Sequence, residues 1–362
     1  LLWGFGLIEK FRARMDSENE LALVFIHLGT HEAKWLLHNV LRTKQQFPSS
    51  KVLVVSDNDS LIIEYRKHDV ETFRYEKTSL DLELEGNTKW DLSFRTRFWL
   101  ETSRRFVALA AAQEWLKCPV LHVESDVTIS PTLDLSAFRR LEKPLCFGLV
   151  SPGIGVGALV YSRDQEASQD LARFVIDRYT ELPATNDMEI LGAFAEQQHE
   201  QVSILPTAPR HDSNIFKSNT ELEFRKATSE LFNHFGGIFD VATIGQFLAG
   251  KDPRNHQGFR EIYTVPSDHC VNPSAVKFRV GKDGNLVFSE EEYGPQVPIL
   301  SLHVHSKDLR FFRPATDSRI LSRRVRLYRG VPVREFSIWG FRETAYSYLS
   351  RRFNRISKLR TK

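Results

Sequence analysis

The run Leu21-Ala22-Leu23-Val24-Phe25-Ile26 is continuously apolar and too short for a helix, the pattern of a strand buried on both faces. The period then changes: from about Glu32 to Gln46, Trp35, Leu36, Val40 and Leu41 recur at helical spacing, and Phe47-Pro48-Ser49-Ser50 ends the element. Lys51-Val52-Leu53-Val54-Val55 predicts a second buried strand, stopping at Ser56-Asp57-Asn58-Asp59, small polar residues suited to a turn into a helix. This is a βαβ opening, which predicts a parallel sheet covered by helices. A polar stretch from Glu76 to Trp90 interrupts it. A long helix is then expected from about Phe94 to Leu116, rich in Ala near its end, feeding a strand at Pro119-Val120-Leu121-His122-Val123.

Beyond that strand the texture differs. Leu145 to Val150 and Gly157 to Tyr161 read as strands around a Ser151-Pro152-Gly153-Ile154-Gly155 turn, so antiparallel pairs are expected there. Helices are expected near Gln165 to Thr180 and Asp187 to Glu200. The segment from Pro206 to Pro298 is loop-rich and too long to be structureless in a compact domain, which marks it as a substrate-binding segment. Ile299-Leu300-Ser301-Leu302-His303-Val304-His305 forms the last strand. The fold class expected is α/β, a Rossmann-type mixed sheet flanked by helices.

Composition narrows the compartment and the partners. At 362 residues with ordinary charged and apolar fractions, the chain can bury a full core. Cys118, Cys146 and Cys270 form no paired or metal-spaced pattern, which points to a reducing compartment, the cytoplasm, and away from a disulfide scaffold or a zinc site. No stretch approaches the roughly 20 apolar residues that span a bilayer. Leu1 to Ile8 is short and lacks a preceding basic flank, so residues 1–20 are expected to form an N-terminal helical segment rather than a signal peptide. The net charge of +3 is uneven, because from Arg319 onward there are 13 Lys or Arg against only Glu335 and Glu343. That basic tail is a separate element on an acidic body.

The candidate chemistry begins at Glu124-Ser125-Asp126. Such triplets often sit on solvated turns, but this one closes a buried strand near the middle of a βαβ start, where open α/β sheets bind ligands. Side chains two apart on a strand share a side, so both carboxylates can aim at one hard cation. The same period puts His303 and His305 on one face, with Lys307 close behind as a mobile cation suited to phosphate. Carboxylate with imidazole and no thiolate suits manganese, with magnesium as the alternative ion.

With the βαβ start, Glu124-Ser125-Asp126 and His303-Val304-His305-Ser306-Lys307 in place, the chain resembles the nucleotide-sugar glycosyltransferases of the GT-A fold over roughly Leu21 to Phe312. The resemblance implies a divalent ion on the donor diphosphate, with Asp126 and Glu124 as ligands, one of His303 and His305 as the third, and Lys307 on the phosphates. Glu stands where the family motif usually begins with Asp, and the late motif lacks the Gly and Pro-Trp that accompany it in glycosyltransferase family 8. The resemblance further implies a catalytic domain over 21–315, with a donor half to about 130 and an acceptor half after it, followed by the basic tail over 316–362. The function it implies is transfer of a sugar from a nucleotide-diphosphate donor to a glycan or lipid-linked glycan hydroxyl. A sugar nucleotidyltransferase and a non-catalytic glycan-binding protein on a transferase fold are the alternatives. The former usually carries a Gly-rich basic loop after the first strand, which His27-Leu28-Gly29-Thr30-His31 matches poorly.

The remaining site residues follow from position. His27, Gly29, Thr30 and Asp57 at the first strand ends are placed for nucleoside, with Asp57 alternatively a helix cap. On the long helix Arg97 and Arg104, seven apart, point together toward phosphate or sugar, and Arg105 is expected to be solvated. Thr185-Asn186-Asp187-Met188-Glu189 reads either as a capped helix start or as an acid-bearing helix facing the sugar, with Asp187 or Glu189 catalytic. Gly236-Gly237 before Asp240 permits close ligand approach, and Asp240, Gln246, Arg254 and Asn255 offer the hydrogen bonding that sugars require. Phe239 and Phe247 read equally as core. From Phe341, apolar and basic residues interleave at helical spacing, which suits either an anionic membrane surface or a helix packed on the body. Nucleic acid is disfavoured by the acidic body.

Overall fold

The computed structural model describes residues 21–29, 33–90, 97–252, 262–281, 284–312 and 319–328. The expected N-terminal segment, Thr30, Arg254, Asn255 and the tail after Tyr328 lie outside the described residues. The chain divides into two compact units. One comprises the chain up to Val127 with Leu133–Leu205, and the other comprises Thr128–Thr132 with the chain from Pro206 onward.

In the first unit the βαβ opening is present as β1 (Ala22–His27), α1 (Lys34–Gln46) and β2 (Val52–Ser56), followed by α2 (Asp59–Arg66) and β3 (Glu71–Arg74). The polar interruption contains a helix, α3 (Ser79–Asn87), whose Thr78 and Asp81 form a capping box. Its charge-rich sequence buries little beyond Asp81 and Leu84, too narrow a stripe to read as helical periodicity. The long helix α4 (Phe98–Leu116) leads into β4 (Val120–Val123), and β5 (Val127–Ile129) and α5 (Ser136–Arg139) follow. The predicted antiparallel pair is β6 (Leu145–Ser151) with β7 (Ile154–Ser162), and α6 (Gln165–Glu181), α7 (Asp187–Gln197) and β8 (Val202–Ile204) complete the unit.

The seven-stranded sheet runs β3-β2-β1-β4-β7-β6-β8. Only β7 is antiparallel to its neighbours. The chain builds outward from β1 through β2 to β3 and then returns to place β4 on β1's other side, so the strand order reverses between β1 and β4. A crevice opens outside the carboxyl ends at such a reversal. In the parallel register Ala22↔Val120 and Val24↔His122, β1 runs to His27, two residues past the end of β4 at Val123. Side chains of α4, α6 and α7 pack with Ala22, Val24, Val120, Phe147 and Val160 in one continuous core. A Cβ on Gly192 would stand 1.8 Å from the Gly153 carbonyl oxygen, so α7 lies directly on the β6–β7 turn.

In the second unit, Pro206 to Pro298 is more ordered than its composition indicates. It holds α8 (Leu222–Ala227), α9 (Phe232–Phe235), β9 (Ile238–Phe239), α10 (Thr243–Ala249), β10 (Lys277–Val280) and β11 (Leu286–Ser289). These elements are too short to show a period against the intervening turns. The last strand, β12 (Val297–His303), ends two residues before the expected His305. The sheet runs β10-β11-β12-β5, with β9 also paired to β12. Phe239 and Phe247 are core, and Phe247 meets Tyr328 edge to face at 4.8 Å. Tyr328 ends α11 (Arg319–Tyr328), and its hydroxyl lies 2.9–3.2 Å from the carbonyls of Pro273, Ser274 and Val276.

Candidate functional site

At the reversal in the first unit, the acid triplet is not the end of a strand. The Val127 N–H donates to the Glu124 carbonyl at 2.9 Å, closing a β-turn with Ser125 and Asp126 at its centre. The two acids converge by this turn rather than by strand alternation, and a carboxylate oxygen of one lies within 4.8 Å of a carboxylate oxygen of the other. Their placement comes from what holds the turn. The Glu124 N–H donates to Ala158 O at 2.9 Å, anchoring one end to β7. On the other side Trp35 Nε1–H donates to Ser125 Oγ at 3.1 Å, and the Asn39 amide donates to the Ser125 and Val127 carbonyls at 3.2 and 2.7 Å. Asp126 is buried and Glu124 half-buried.

Arg105, expected in solvent, is the hub of the contacts around this turn. Its Nη1 donates to Glu124 Oε1 at 2.7 Å and its Nη2 to Asp187 Oδ2 at 2.5 Å. Gly157 makes room for it, as a Cβ there would fall 2.8 Å from Nη2. Burial opposes the guanidinium's charge, but Glu124 and Asp187 outweigh it and raise its pKa. Burial, assisted by Glu124, raises the Asp187 carboxyl above the usual range against the pull of Arg105. Buried His122 donates from Nδ1–H to Val24 O at 3.1 Å, and burial with Arg105 lowers its pKa to about 4, so it is a neutral core histidine.

Arg97 and Arg104 point together, as expected of residues seven apart on one helical face, and both reach Glu101. Arg104 is 1 % exposed and clasped by Asp81 at 2.9 Å and Glu101 at 2.6 Å, with Asp57 at 3.6 Å. Arg97 pairs with Glu85 and Glu101. Because α4 is buried around most of its circumference, spacing alone does not distinguish a ligand-facing arginine from an internal one. Asp57 is not the cap of α2, a role Asn58 takes by accepting from Ser60 and Leu61 N–H. Instead Asp57 accepts the Gly29 N–H at 2.8 Å, tying the ends of β1 and β2 together. Glu189 proves to be the capping partner: it accepts from Thr185 Oγ1 and from the Asn186 N–H, while Asp187, two residues earlier, faces Arg105.

The second unit carries the late histidines. Asp240 is buried and acts as a backbone staple, accepting the N–H groups of Ile244, Gly245 and His303 at 2.8, 2.7 and 2.9 Å. The glycine pair before it also serves packing. Gly236 takes the left-handed conformation that ends α9, and a Cβ on Gly237 would lie 2.8 Å from Leu300 Cγ. The His303 Nδ1–H donates to Val241 O at 2.7 Å, which fixes the tautomer with its lone pair on Nε2. His305 stacks on His303 with centroids 3.8 Å apart, and Gln246 Nε2 lies 3.4 Å from His305 Nε2. Lys307 Nζ stands 3.5 Å from Asp252 Oδ2, on a residue with left-handed backbone.

No protein-family model matches the chain, and no curated protein matches it. Solved structures similar to part of it include the galactosyltransferase LgtC in complex with donor and acceptor sugar analogues, at 11% identity over 57% of this chain and 83% of that one with a TM-score of 0.38. Mouse xyloside xylosyltransferase 1 in its apo form is similar at 8% identity over 58% of this chain and 93% of that one, TM-score 0.36. The PaToxG glycosyltransferase is similar at 9% identity over 52% and 76%, TM-score 0.36. At such scores the function has to be argued from this chain's own residues.

Proposed function

We propose that this protein is a metal-dependent glycosyltransferase of GT-A type, moving a sugar from a nucleotide-diphosphate donor to the hydroxyl of a glycan or lipid-linked glycan. One observation carries the reading: an acid turn follows β4 where the strand order reverses, and Arg105 joins its Glu124 to Asp187 on α7. Strand-end geometry there suits a diphosphate, and a buried acid beside it suits a sugar hydroxyl.

Glu124, Asp126 and His303 are the proposed holders of a divalent ion, manganese by preference. The donor set fits, since two carboxylates and an imidazole whose Nδ1–H is occupied by a carbonyl leave Nε2 oriented to coordinate. Covalent connection supports the grouping: only Val127 separates Asp126 from Thr128, whose hydroxyl lies 3.4 Å from the carbonyl of Leu302, the residue before His303. When bound, such an ion supplies positive charge to diphosphate oxygens. Lys307 is proposed to meet the departing diphosphate, Asp187 to hold or deprotonate a sugar hydroxyl, Asp57 with Thr30 to border the nucleoside, and Gln246, Arg254 and Asn255 to line the acceptor.

A thermal-shift panel of nucleoside diphosphates with and without Mn2+ tests the reading. One nucleotide is expected to raise Tm by several degrees only in the presence of metal; at about 100-fold excess over Kd, binding is worth roughly 2.7 kcal/mol. Indifference to every nucleotide would remove it.

An anionic membrane surface is a further proposed partner, through α11 and the sequence after it. Arg319, Arg323 and Arg326, at i, i+4 and i+7, are exposed on α11, and the chain beyond Tyr328 adds nine Lys or Arg against two Glu. Among the described residues no helix is long and apolar enough to cross a membrane. Because Tyr328 is core, the test keeps α11: Arg323→Glu with Arg326→Glu is expected to lose flotation with phosphatidylserine vesicles, and unaltered flotation would rule α11 out.

A further inference from the structure

We infer that Asn39, assisted by Trp35, is a positioning residue that sets the acid turn for metal binding; this rests on the proposed metal reading. The need for such a residue follows from the path of the chain. β4 leaves the first sheet at Val123, and the chain turns through Ser125 and Asp126 before β5 begins at Val127. Backbone carbonyls at such a corner have no ladder partner by default, and a buried carbonyl without one is costly. The Asn39 side chain fills that role, its amide nitrogen donating 3.2 Å to Ser125 O and 2.7 Å to Val127 O.

Those two carbonyls bracket Asp126. Ser125 O belongs to the peptide before Asp126, the peptide after it is held by the Val127 N–H on Glu124 O at 2.9 Å, and the Asn39 bond to Val127 O anchors the next peptide along. The φ and ψ of Asp126, and so the direction of its Cα–Cβ bond, are thereby fixed, with Asn39 holding both ends of the segment. Asn39 is itself fully buried and immobilised in the middle of α1, so the clamp is carried by a rigid element. Trp35 lies four residues earlier on the same helical face and donates to the Ser125 hydroxyl at 3.1 Å. One face of α1 thereby holds side chain and main chain of the turn together, while Arg105 holds Glu124 from α4. A leucine at position 39 would keep the branched shape, with slightly bulkier methyl groups, and remove both hydrogen bonds. Thr43, buried one turn further along this face, has no hydrogen bond to the turn and serves as the matched control for packing alone.

Electron paramagnetic resonance titration of Mn2+, with hydrogen exchange of the backbone, tests the inference. Asn39→Leu is expected to weaken Mn2+ binding about 10- to 100-fold, the usual effect of losing a group that orients metal ligands. It should also speed exchange at the Val127 amide. Trp35→Phe, which keeps an aromatic ring but loses the indole N–H together with part of the bicycle, should show the same two changes to a smaller degree and covers the case in which Asn39→Leu does not fold. Thr43→Val should retain the original affinity and exchange. Original Mn2+ affinity and exchange in a folded Asn39→Leu or Trp35→Phe chain would overturn the inference, as would an equal loss in Thr43→Val. Failure of the unaltered chain to bind Mn2+ would instead remove the metal reading on which it rests.

Discussion

Arg105→Gln is expected to lower the stability of the first unit by about 3–5 kcal/mol, the range for removing one member of a buried ion pair. Two carboxylates, Glu124 and Asp187, then face each other without their shared cation, and Asp187 is buried. The loss should depend on pH in a stated direction. Burial already raises the Asp187 pKa with Arg105 present, and removing the guanidinium raises it further. A carboxyl whose folded pKa exceeds its unfolded value favours folding while protonated. That contribution is complete below the unfolded pKa and disappears as pH rises through the folded one. The difference in urea midpoint between Arg105→Gln and the unaltered chain should therefore be small at about pH 5 and large at about pH 7.5. Arg105→Lys keeps the charge without the two-armed geometry and should fall between. An equal difference at both pH values would mean that cavity formation, rather than uncompensated Asp187, accounts for the loss.

The βα framework was legible because its strands are buried on both faces. β1, β2, β4 and β6 stand within a residue or two of their predicted places, β7 begins three residues earlier than expected because the turn is only Pro152-Gly153, and the change of texture at Leu145 correctly marked antiparallel pairing. What sequence did not disclose shares a cause. α3, α8 and α9 bury one or two residues each, and α10, though mostly buried, is only seven residues long; all take their conformation from packing and the turns around them. No periodicity survives over so few residues.

The site was legible in its residue types and less so in their roles. Asp187, Glu189, Asp240, Arg97 and Arg104 are all polar groups near strand ends or helix starts, where sequence cannot separate a ligand-facing group from an internal tie. Glu189 and Asn186 show the signal that could have decided one case, since Asn at the cap with Glu three residues on is a capping box. Asp187, lying between them, was then the acid left over. Arg105 carried no such signal. Its partners sit 19 and 82 positions away, and only the meeting of α4, β4 and α7 brings them together. Asn39 was invisible for the same reason, being one polar residue on an otherwise ordinary amphipathic helix.

The same geometry ranks the two acids of the turn. Asp126→Ala is expected to weaken Mn2+ binding at least about a hundredfold, since a bound divalent ion represents several kcal/mol of charge stabilisation. Glu124→Ala should weaken it only about tenfold, as for a ligand whose charge is already shared with a cation of the protein. The asymmetry follows from Arg105. Its Nη1 lies 2.7 Å from Glu124 Oε1, so much of that carboxylate's charge is already answered within the protein. Removing Glu124 leaves the Arg105–Asp187 pair intact, and the fold should survive with Tm little changed. Asp126 sits at the centre of the turn between the two carbonyls that Asn39 holds, so its position is the best determined of the proposed ligands. Mn2+ titration of both variants decides the order. If Glu124→Ala proves the more damaging, Arg105 must yield Glu124 to the ion on binding, and the Glu124–Arg105 contact is a resting arrangement that the metal displaces.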